Sequence, residues 1–356
     1  MNRNLAFVPS IAPYRVDYYN SLHEECSFDI YFLSDSSAGQ LFSSDDQWTS
    51  CRFEQHYLNS FVLLGRHFPL GLRKLIKNSS PDCIIVPEFS VLTIIVLLLR
   101  KVMGMSFRVV SQCDDSSDMI DSGGFSRWHS FARKLCMPLL DDVIIADTKA
   151  VDWYRSHYSK GVWMPIIHKE DGVPDYQSVQ DRVALIRKQI DAAGKVVLLF
   201  VGRLVGIKNV QLLIRACRNV DIPYHLLIVG DGPEMDKLRQ LAQNMEVEAS
   251  FVGSKIGLDL YSCYYSADVF VLPSVLEPFG AVTGEALLCG CKCCISAKAG
   301  SSCLIDESNG AVFSPDSENS LETAIRHVLT IPSSDDRSSR MPVTYQACFD
   351  AVKTIL

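Results

Sequence analysis

Short apolar runs alternate with longer segments of helical period from one end of the chain to the other, the pattern of parallel α/β layers. In the first half the apolar runs predict strands at Leu5–Val8, Asp29–Leu33, Cys83–Val86, Phe107–Ser111 and Val143–Ala146. Helices are predicted between them, at Tyr14–Glu25, Ser90–Met103 and Phe125–Leu139. Ser34–Asp46, dense in Ser and Asp, reads as a mobile loop. The polar stretch from His168 to Gln180, with Gly172 and Pro174, reads as a linker.

The second half repeats the grammar. Strands are predicted at Val196–Val201, His225–Val229, Ser250–Val252, Val269–Leu272 and Cys293–Ser296. Helices follow at Val210–Arg218, Glu234–Asn244, Leu258–Tyr265, Ala281–Cys289 and Glu318–Thr330. The division this implies is a first domain over 1–168, a linker region over 169–194 and a second domain over 195–335. The last stretch, 336–356, is expected to pack back on the first domain. Open α/β sheets bind ligands just beyond the carboxyl ends of their strands, so chemistry is sought in the loops that follow the second-half strands.

Composition narrows the classes. With 356 residues, 48% of them hydrophobic, each half has enough apolar surface for a core of its own. A net charge of −7 and a pI near 5.6 argue against nucleic-acid binding. The thirteen cysteines are an odd number, and Met1–Arg3 leads straight into a strand-like run without a signal-peptide pattern. A reducing, cytoplasmic setting with cysteines as small buried hydrophobes is therefore expected. Cys291 and Cys294 share a C-x-x-C spacing, but no second pair follows to complete a zinc site, and core packing is the reading taken. Val91–Leu99, the most apolar segment at nine residues, falls well short of the ~20 that span a bilayer.

Three loops carry candidate chemistry. Val201-Gly202-Arg203-Leu204, with Lys208 five residues beyond Arg203, ends the first strand of the second half. Gly202 permits a tight turn, Arg203 offers a planar fork to two phosphate oxygens, and Lys208 adds a point charge. Taken singly these are ordinary surface cations at a turn. Gly230-Asp231-Gly232-Pro233 closes the second strand, with Pro suited to a first helical position. It lacks the G-x-G-x-x-G spacing of dinucleotide sites and is equally a simple strand-to-helix turn. The most specific segment is Glu277-Pro278-Phe279-Gly280-Ala281-Val282-Thr283-Gly284-Glu285. Gly280 allows close backbone approach, and a helix starting near Ala281 offers free N–H groups to a phosphate. Glu285 is placed to accept two hydroxyl hydrogen bonds from a ribose, or simply to complement the helix end. On one continuous helix, residues 277 and 285 would stand about 12 Å apart, beyond the roughly 5–9.5 Å of a hydrolytic carboxylate pair. Pro278 and Gly280 interrupt such a helix, so that spacing stays undecided, and a hydrolytic pair is not favoured.

Together these ordered motifs, with Phe251-Val252-Gly253 and the later Ala299-Gly300 and Asn309-Gly310, resemble the family 4 glycosyltransferases. That family is rich in bacterial polysaccharide enzymes. The resemblance implies an α/β, GT-B fold, two facing Rossmann-like domains with a central cleft. It implies that Arg203 and Lys208 hold the donor diphosphate and stabilise the leaving nucleotide. Glu285 would bind the ribose, and Glu277 would face the donor sugar, assisted by the backbone amides of Phe279 and Gly280. Gly253–Lys255 would pass the nucleobase. Retention of configuration, no metal and no other cofactor are implied, in keeping with the lack of an Asp-x-Asp motif.

The first half departs from the family pattern. Pro9-Ser10-Ile11-Ala12-Pro13-Tyr14-Arg15 stands where many members have a Gly-Gly pair, and Ser111-Gln112-Cys113-Asp114-Asp115 where many have a His. Arg15, Asp114 and Asp115, with Asp118, are the acceptor-side candidates; helix capping is the alternative for the aspartates. From Arg66 to Arg108 seven basic residues face two acidic ones, interleaved with Phe61, Phe68, Leu72 and Ile76. The stretch reads either as a basic face for anionic lipid head groups or as an amphipathic core helix with a solvated basic side.

The expected partners are thus a UDP- or GDP-sugar donor and a saccharide or lipid-linked saccharide acceptor, in O-antigen or capsule synthesis. An anionic membrane surface is included and nucleic acid is not, with a cytoplasmic, membrane-peripheral location. A nucleotide-sugar epimerase and a non-catalytic nucleotide-sugar-binding protein are the alternatives.

Overall fold

The computed structural model describes residues 3–33, 50–63, 66–121, 123, 126–333 and 336–356. The expected loop Ser34–Asp46 lies outside them. The chain forms two compact units, Met1–Ile166 with Tyr345–Leu356, and Ile167–Thr344.

Unit 1 is built on a seven-stranded sheet in the order β3-β2-β1-β6-β7-β8-β9, its paired strands parallel throughout. The strands are β1 (Asn4–Val8), β2 (Phe28–Phe32), β3 (His56–Tyr57), β6 (Cys83–Pro87), β7 (Arg108–Cys113), β8 (Asp142–Ile145) and β9 (Val162–Trp163). Strands buried on both faces read as continuous apolar runs, and Cys83 to Pro87 is buried at every position. Helices α1 (Val16–Cys26), α3 (Val91–Met103), α5 (Arg127–Cys136) and α6 (Thr148–Tyr158) connect them. α3 starts where the Ser90 side chain accepts the Thr93 amide (3.2 Å) and stops at left-handed Gly104. A short α4 (Ser117–Asp121) lies between β7 and α5.

The segment from Phe61 to Ile76 is not one helix. Ser60–Leu63 (β4) and Arg66–Pro69 (β5) pair as an antiparallel hairpin with Phe61 and Phe68 stacked at 5.3 Å, and α2 begins only at Leu72 and runs to Ser79. Pro69 ends β5, and left-handed Gly71 precedes the first turn of α2.

Unit 2 carries a six-stranded parallel sheet in the order β12-β11-β10-β13-β14-β15. Its strands are β10 (Val196–Val201), β11 (Tyr224–Val229), β12 (Ala249–Phe251), β13 (Val269–Leu272), β14 (Lys292–Ser296) and β15 (Gly310–Phe313). Helices α8 (Val210–Cys217), α9 (Met235–Asn244), α10 (Gly257–Ser266), α11 (Val282–Leu288) and α12 (Glu318–Thr330) complete it. The order turns back between β10 and β13, and the analogous point in unit 1 lies between β1 and β6. Such switch points open a crevice at the carboxyl edge.

The stretch read as a linker is structured and belongs to unit 2. Helix α7 (Tyr176–Gln189) packs on α10, with the Tyr176 and Tyr265 rings 5.5 Å apart and Tyr265 donating to the Pro174 carbonyl (2.8 Å). Apolar Val179 and Val183 recur at helical spacing and are buried, which explains why a polar-looking segment folds. Residues 336–344 stay with unit 2, while α13 (Tyr345–Lys353) joins unit 1, where Tyr345 bonds the Ser21 hydroxyl (3.1 Å) and Phe349 meets Tyr18 edge-on.

The cysteine cluster behaves as core. Cys289, Cys291, Cys293 and Cys294 are free and fully buried. Burial pushes the Cys291 thiol up to about 12, as expected of a cysteine packed as a small hydrophobe. Among the described residues no helix is long and apolar enough to cross a membrane.

Candidate functional site

At the carboxyl edge of the unit 2 sheet, backbone contacts stitch three loops together. Gly202 N–H donates to Val229 O (3.0 Å), Leu204 N–H to Asp231 O (2.8 Å) and Gly230 N–H to Gly253 O (2.9 Å). A Cβ on Gly230 would sit 1.9 Å from the Gly202 carbonyl oxygen, so this approach requires glycine. Asp231 accepts the Ser254 amide (2.9 Å) and fixes the loop that contains Gly253. Gly230–Pro233 therefore shapes the edge by packing.

A fourth loop joins them. The Val275 amide donates to Ile207 O (2.9 Å), which brings the loop after β13 against the turn that carries Lys208. The Lys208 ammonium forms an ion pair with Glu277 Oε2, and the Ser274 hydroxyl donates to the same oxygen (3.4 Å). Both partners are largely buried. Arg203, by contrast, is exposed, and its guanidinium has no partner among the described residues.

Beyond Glu277 the chain passes through left-handed Gly280, where a Cβ would meet Leu272 at 2.8 Å. The Gly300 amide donates to Glu277 O (3.1 Å) and the Ser301 amide to Phe279 O (2.8 Å). The Phe279 ring is core, so only its backbone faces the loop. The amides of Gly280, Ala281 and Val282 have no acceptor among the described residues, whereas Thr283 N–H already bonds Gly280 O (3.0 Å). The site thus combines one exposed guanidinium, one paired ammonium and a run of unengaged N–H groups, the chemistry of an anion seat.

Glu285 lies apart from the Lys208–Glu277 pair in its bonding. Its carboxylate accepts from Tyr264 Oη (2.7 Å) and lies 3.5 Å from His168 Nε2. Burial works to raise its pKa, but the hydrogen bonds from His168 and Tyr264 outweigh it and hold the group below the usual carboxylate range. Neither His168 nor Tyr264 was marked by sequence reasoning: one sits in the supposed linker, the other reads as an apolar helix position.

In unit 1 the crevice between β1, β6 and β7 holds a cavity of about 160 Å³. Buried Arg15 reaches into it and pairs with Asp114, which keeps the guanidinium charged despite burial. Asp115 does not join them. It is 3% exposed, accepts from Tyr154 (2.5 Å) and lies 3.4 Å from both Arg133 and His129. Those bonds overcome burial and lower its pKa, so Asp115 is an internal brace and its side chain does not serve as an acceptor contact. The cavity instead gains two groups the sequence reading passed over. Glu88 follows β6 at a left-handed φ of 39°, and burial, with Asp114 and Asp115 nearby, raises its carboxyl to about 7. Gln112 lines the same wall, with a buried Oε1 that lacks a partner among the described residues. Their position at the carboxyl ends of apolar strands was the available signal.

The basic stretch of unit 1 is dispersed over the surface. Arg73, Lys74 and Lys77 are exposed on α2, and Lys101 and Arg108 are exposed near the end of α3. Arg100 is tied to Asp141 (2.5 Å). Beside them an apolar groove of about 690 Å³ runs between α3 and α5, with Leu98, Leu135 and Leu139 among its lining.

Comparison with known proteins places these features. Residues 182–341 match the family model for glycosyl transferases group 1. A GDP-mannose-dependent alpha-mannosyltransferase of Corynebacterium glutamicum is 36% identical over 135 residues, 38% of this chain and 29% of that protein. An N-acetylgalactosamine-N,N'-diacetylbacillosaminyl-diphospho-undecaprenol 4-alpha-N-acetylgalactosaminyltransferase of Campylobacter jejuni is 30% identical over 158 residues, 44% of this chain and 43% of that protein. The matched region thus spans less than half the length of these relatives. The structure of Anabaena HepE in complex with UDP superposes with a TM-score of 0.73 at 16% identity, over 99% of this chain and 97% of that one. This likeness shows the fold, α/β with parallel sheets as in GT-B glycosyltransferases.

Proposed function

We propose that this chain is a glycosyltransferase of the group 1 family that moves a sugar from a nucleotide-sugar donor to a saccharide acceptor. The observation that carries the reading is the Lys208–Glu277 pair set beside the free amides of Gly280 to Val282, inside the segment that matches the family.

On this reading the donor diphosphate lies against those amides, with Arg203 and Lys208 as its cations. Lys208 then exchanges part of its bond to Glu277 for phosphate oxygen as negative charge builds on the departing nucleotide, the electrostatic part of catalysis. Glu277 is left facing the transferred sugar, which leaves with retained configuration. Glu285 receives the ribose hydroxyls, held in orientation by Tyr264 and His168. Neither a metal nor another cofactor takes part. UDP is the ligand named for the Anabaena structure and GDP-mannose the donor named for the corynebacterial relative, so a UDP- or GDP-sugar is the donor class.

Arg15, Asp114, Glu88 and Gln112 of unit 1 recognise the acceptor. The acceptor class is a lipid-linked saccharide of the O-antigen or capsule type, in line with the undecaprenol-linked substrate in the name of the Campylobacter relative. The enzyme works in the cytoplasm, with the basic face of unit 1 against anionic head groups. Turnover of UDP- and GDP-sugars with and without such acceptors tests the proposal. Transfer to a saccharide supports it; donor turnover that ignores every acceptor, or none at all, contradicts it.

A further inference from the structure

A second cluster of charge lies in unit 2 at the opposite edge of the sheet from the motif loops, where β13 and β14 begin. A cavity of about 310 Å³ opens there, lined by Arg187, Asp268, Lys292, Arg337 and Arg340. Among the described residues, four cations thus face a single carboxylate.

That carboxylate is fully engaged. Asp268 Oδ2 accepts the Val197 amide (2.8 Å) and lies 3.4 Å from Arg187, and Oδ1 meets Arg337 at 3.1 Å. Neither Lys292 nor Arg340 is within ion-pair distance of it. Arg340 bonds only carbonyls, those of Gly290 (3.0 Å), Ser308 (3.3 Å) and Pro332 (2.6 Å).

Lys292 is the unusual member. It occupies the first position of β14, is only 5% exposed, and its ammonium donates to a single carbonyl, that of Ile331 (2.8 Å). An ammonium carries three donors, and among the described residues no carboxylate lies within ion-pair distance of this one. A buried charge without a counter-ion is costly and is seldom kept without a use. Burial, and then the neighbouring Arg340, depress its pKa, the response of a cation short of negative charge.

We propose that this cavity is an anion site, separate from the donor site, that takes a phosphate group, either free or borne by a small metabolite, with Lys292 as its buried cation and Arg337 and Arg340 at its rim. Phosphate fits because it brings the missing charge and several acceptor oxygens to donors set at different angles. Arg337 also bonds the Ala267 carbonyl and Arg340 that of Gly290, so occupancy of the cavity stabilises the end of unit 2.

The test is thermal unfolding of the full chain against inorganic phosphate, with ionic strength held constant by sodium chloride, in wild type, Lys292→Met and Arg203→Ala. The expected result is a saturable rise in Tm in wild type and in Arg203→Ala, and none in Lys292→Met. Without phosphate, Lys292→Met should be at least as stable as wild type, because it deletes an unpaired buried charge. If Lys292→Met does not fold, Ser333→Glu serves in its place. It offers a carboxylate from the rim and should weaken apparent phosphate affinity at least tenfold. A wild type that shows no saturable rise overturns the proposal. So does a rise lost in Arg203→Ala, which assigns the effect to the donor loops, or one unchanged in both cavity variants. Glucose 6-phosphate in parallel separates free phosphate from a phosphorylated metabolite: a rise at lower concentration than with phosphate identifies the latter.

Discussion

The ammonium of Lys208 is paired with Glu277 Oε2, although 69 residues separate the two in sequence. The pair crosses from the loop after β10 to the loop after β13, and each partner is largely withdrawn from water. Removing one member therefore leaves the other as an uncompensated charge. Lys208→Met alone should lower stability by about 1–3 kcal/mol, the penalty for a partly buried unpaired carboxylate. Lys208→Met with Glu277→Gln should regain most of that loss, and neither variant should transfer sugar. Urea midpoints of the two single variants and the double variant measure the coupling. Additive losses would show that the pair is not an energetic unit.

Glu88 should give unit 1 an unusual pH dependence. Burial raises its carboxyl to about 7 from a reference value of 4.5. The native state therefore holds the proton that the unfolded chain has released, and the stability this confers is present below about pH 4.5 and lost as pH rises through about 7. Glu88→Gln removes the cost of a buried carboxylate. It should gain up to about 3 kcal/mol over wild type at pH 8 and almost nothing at pH 4.5. Equal differences at both pH values would mean that the carboxyl titrates normally.

How far the sequence foretold this arrangement depended on what each signal was. Val196–Val201, Val269–Leu272 and Glu318–Thr330 were legible to the residue, because buried parallel strands and a capped amphipathic helix impose strong periodicities. The hairpin Ser60–Pro69 was not, since Phe61 and Phe68 fit helical spacing as well as a cross-strand pair. Two-residue β9 is too short to carry a pattern, and α7 hides its buried Val179 and Val183 among polar neighbours. Lys208, Glu277 and Gly280 were legible as motif members, but their contacts were not. That Glu277 meets Lys208, that Glu285 meets Tyr264 and His168, and that Asp115 turns inward toward Tyr154 are tertiary facts. No spacing along the chain encodes them.

Membrane association should depend on charge as well as apolar surface. Arg73 and Lys74 are exposed on α2, and Val102 is 81% exposed near Lys101 at the end of α3. Flotation with vesicles rich in anionic lipid should show binding at low salt that fades toward 1 M, where the Debye length is about 3 Å. Arg73→Glu with Lys74→Glu should abolish it. No flotation at any ionic strength would leave these residues as a solvated face.

Transfer should continue in EDTA, because Arg203, Lys208 and the amides of Gly280 to Val282 are assigned the charge of the leaving diphosphate. Steady-state rates with and without chelator check this. Activity abolished by EDTA and restored by Mg²⁺ or Mn²⁺ would transfer that task to a metal.

The central claim is that the carboxyl edge of unit 2 binds the nucleotide through Glu285 and the sugar through Glu277. Calorimetric titration of UDP and GDP into wild type, Glu285→Ala and Glu277→Gln tests it most directly, since a free nucleotide has no sugar for Glu277 to touch. Wild type should bind at least one of the two. Loss of one charge-assisted hydrogen bond costs about 1.5–3 kcal/mol, so Glu285→Ala should bind about 10- to 150-fold more weakly. Glu277→Gln should bind as tightly as wild type or more tightly, because Lys208 is released to the phosphates. Failure of wild type to bind either nucleotide, or an equal loss in both variants with folding intact, would contradict the account.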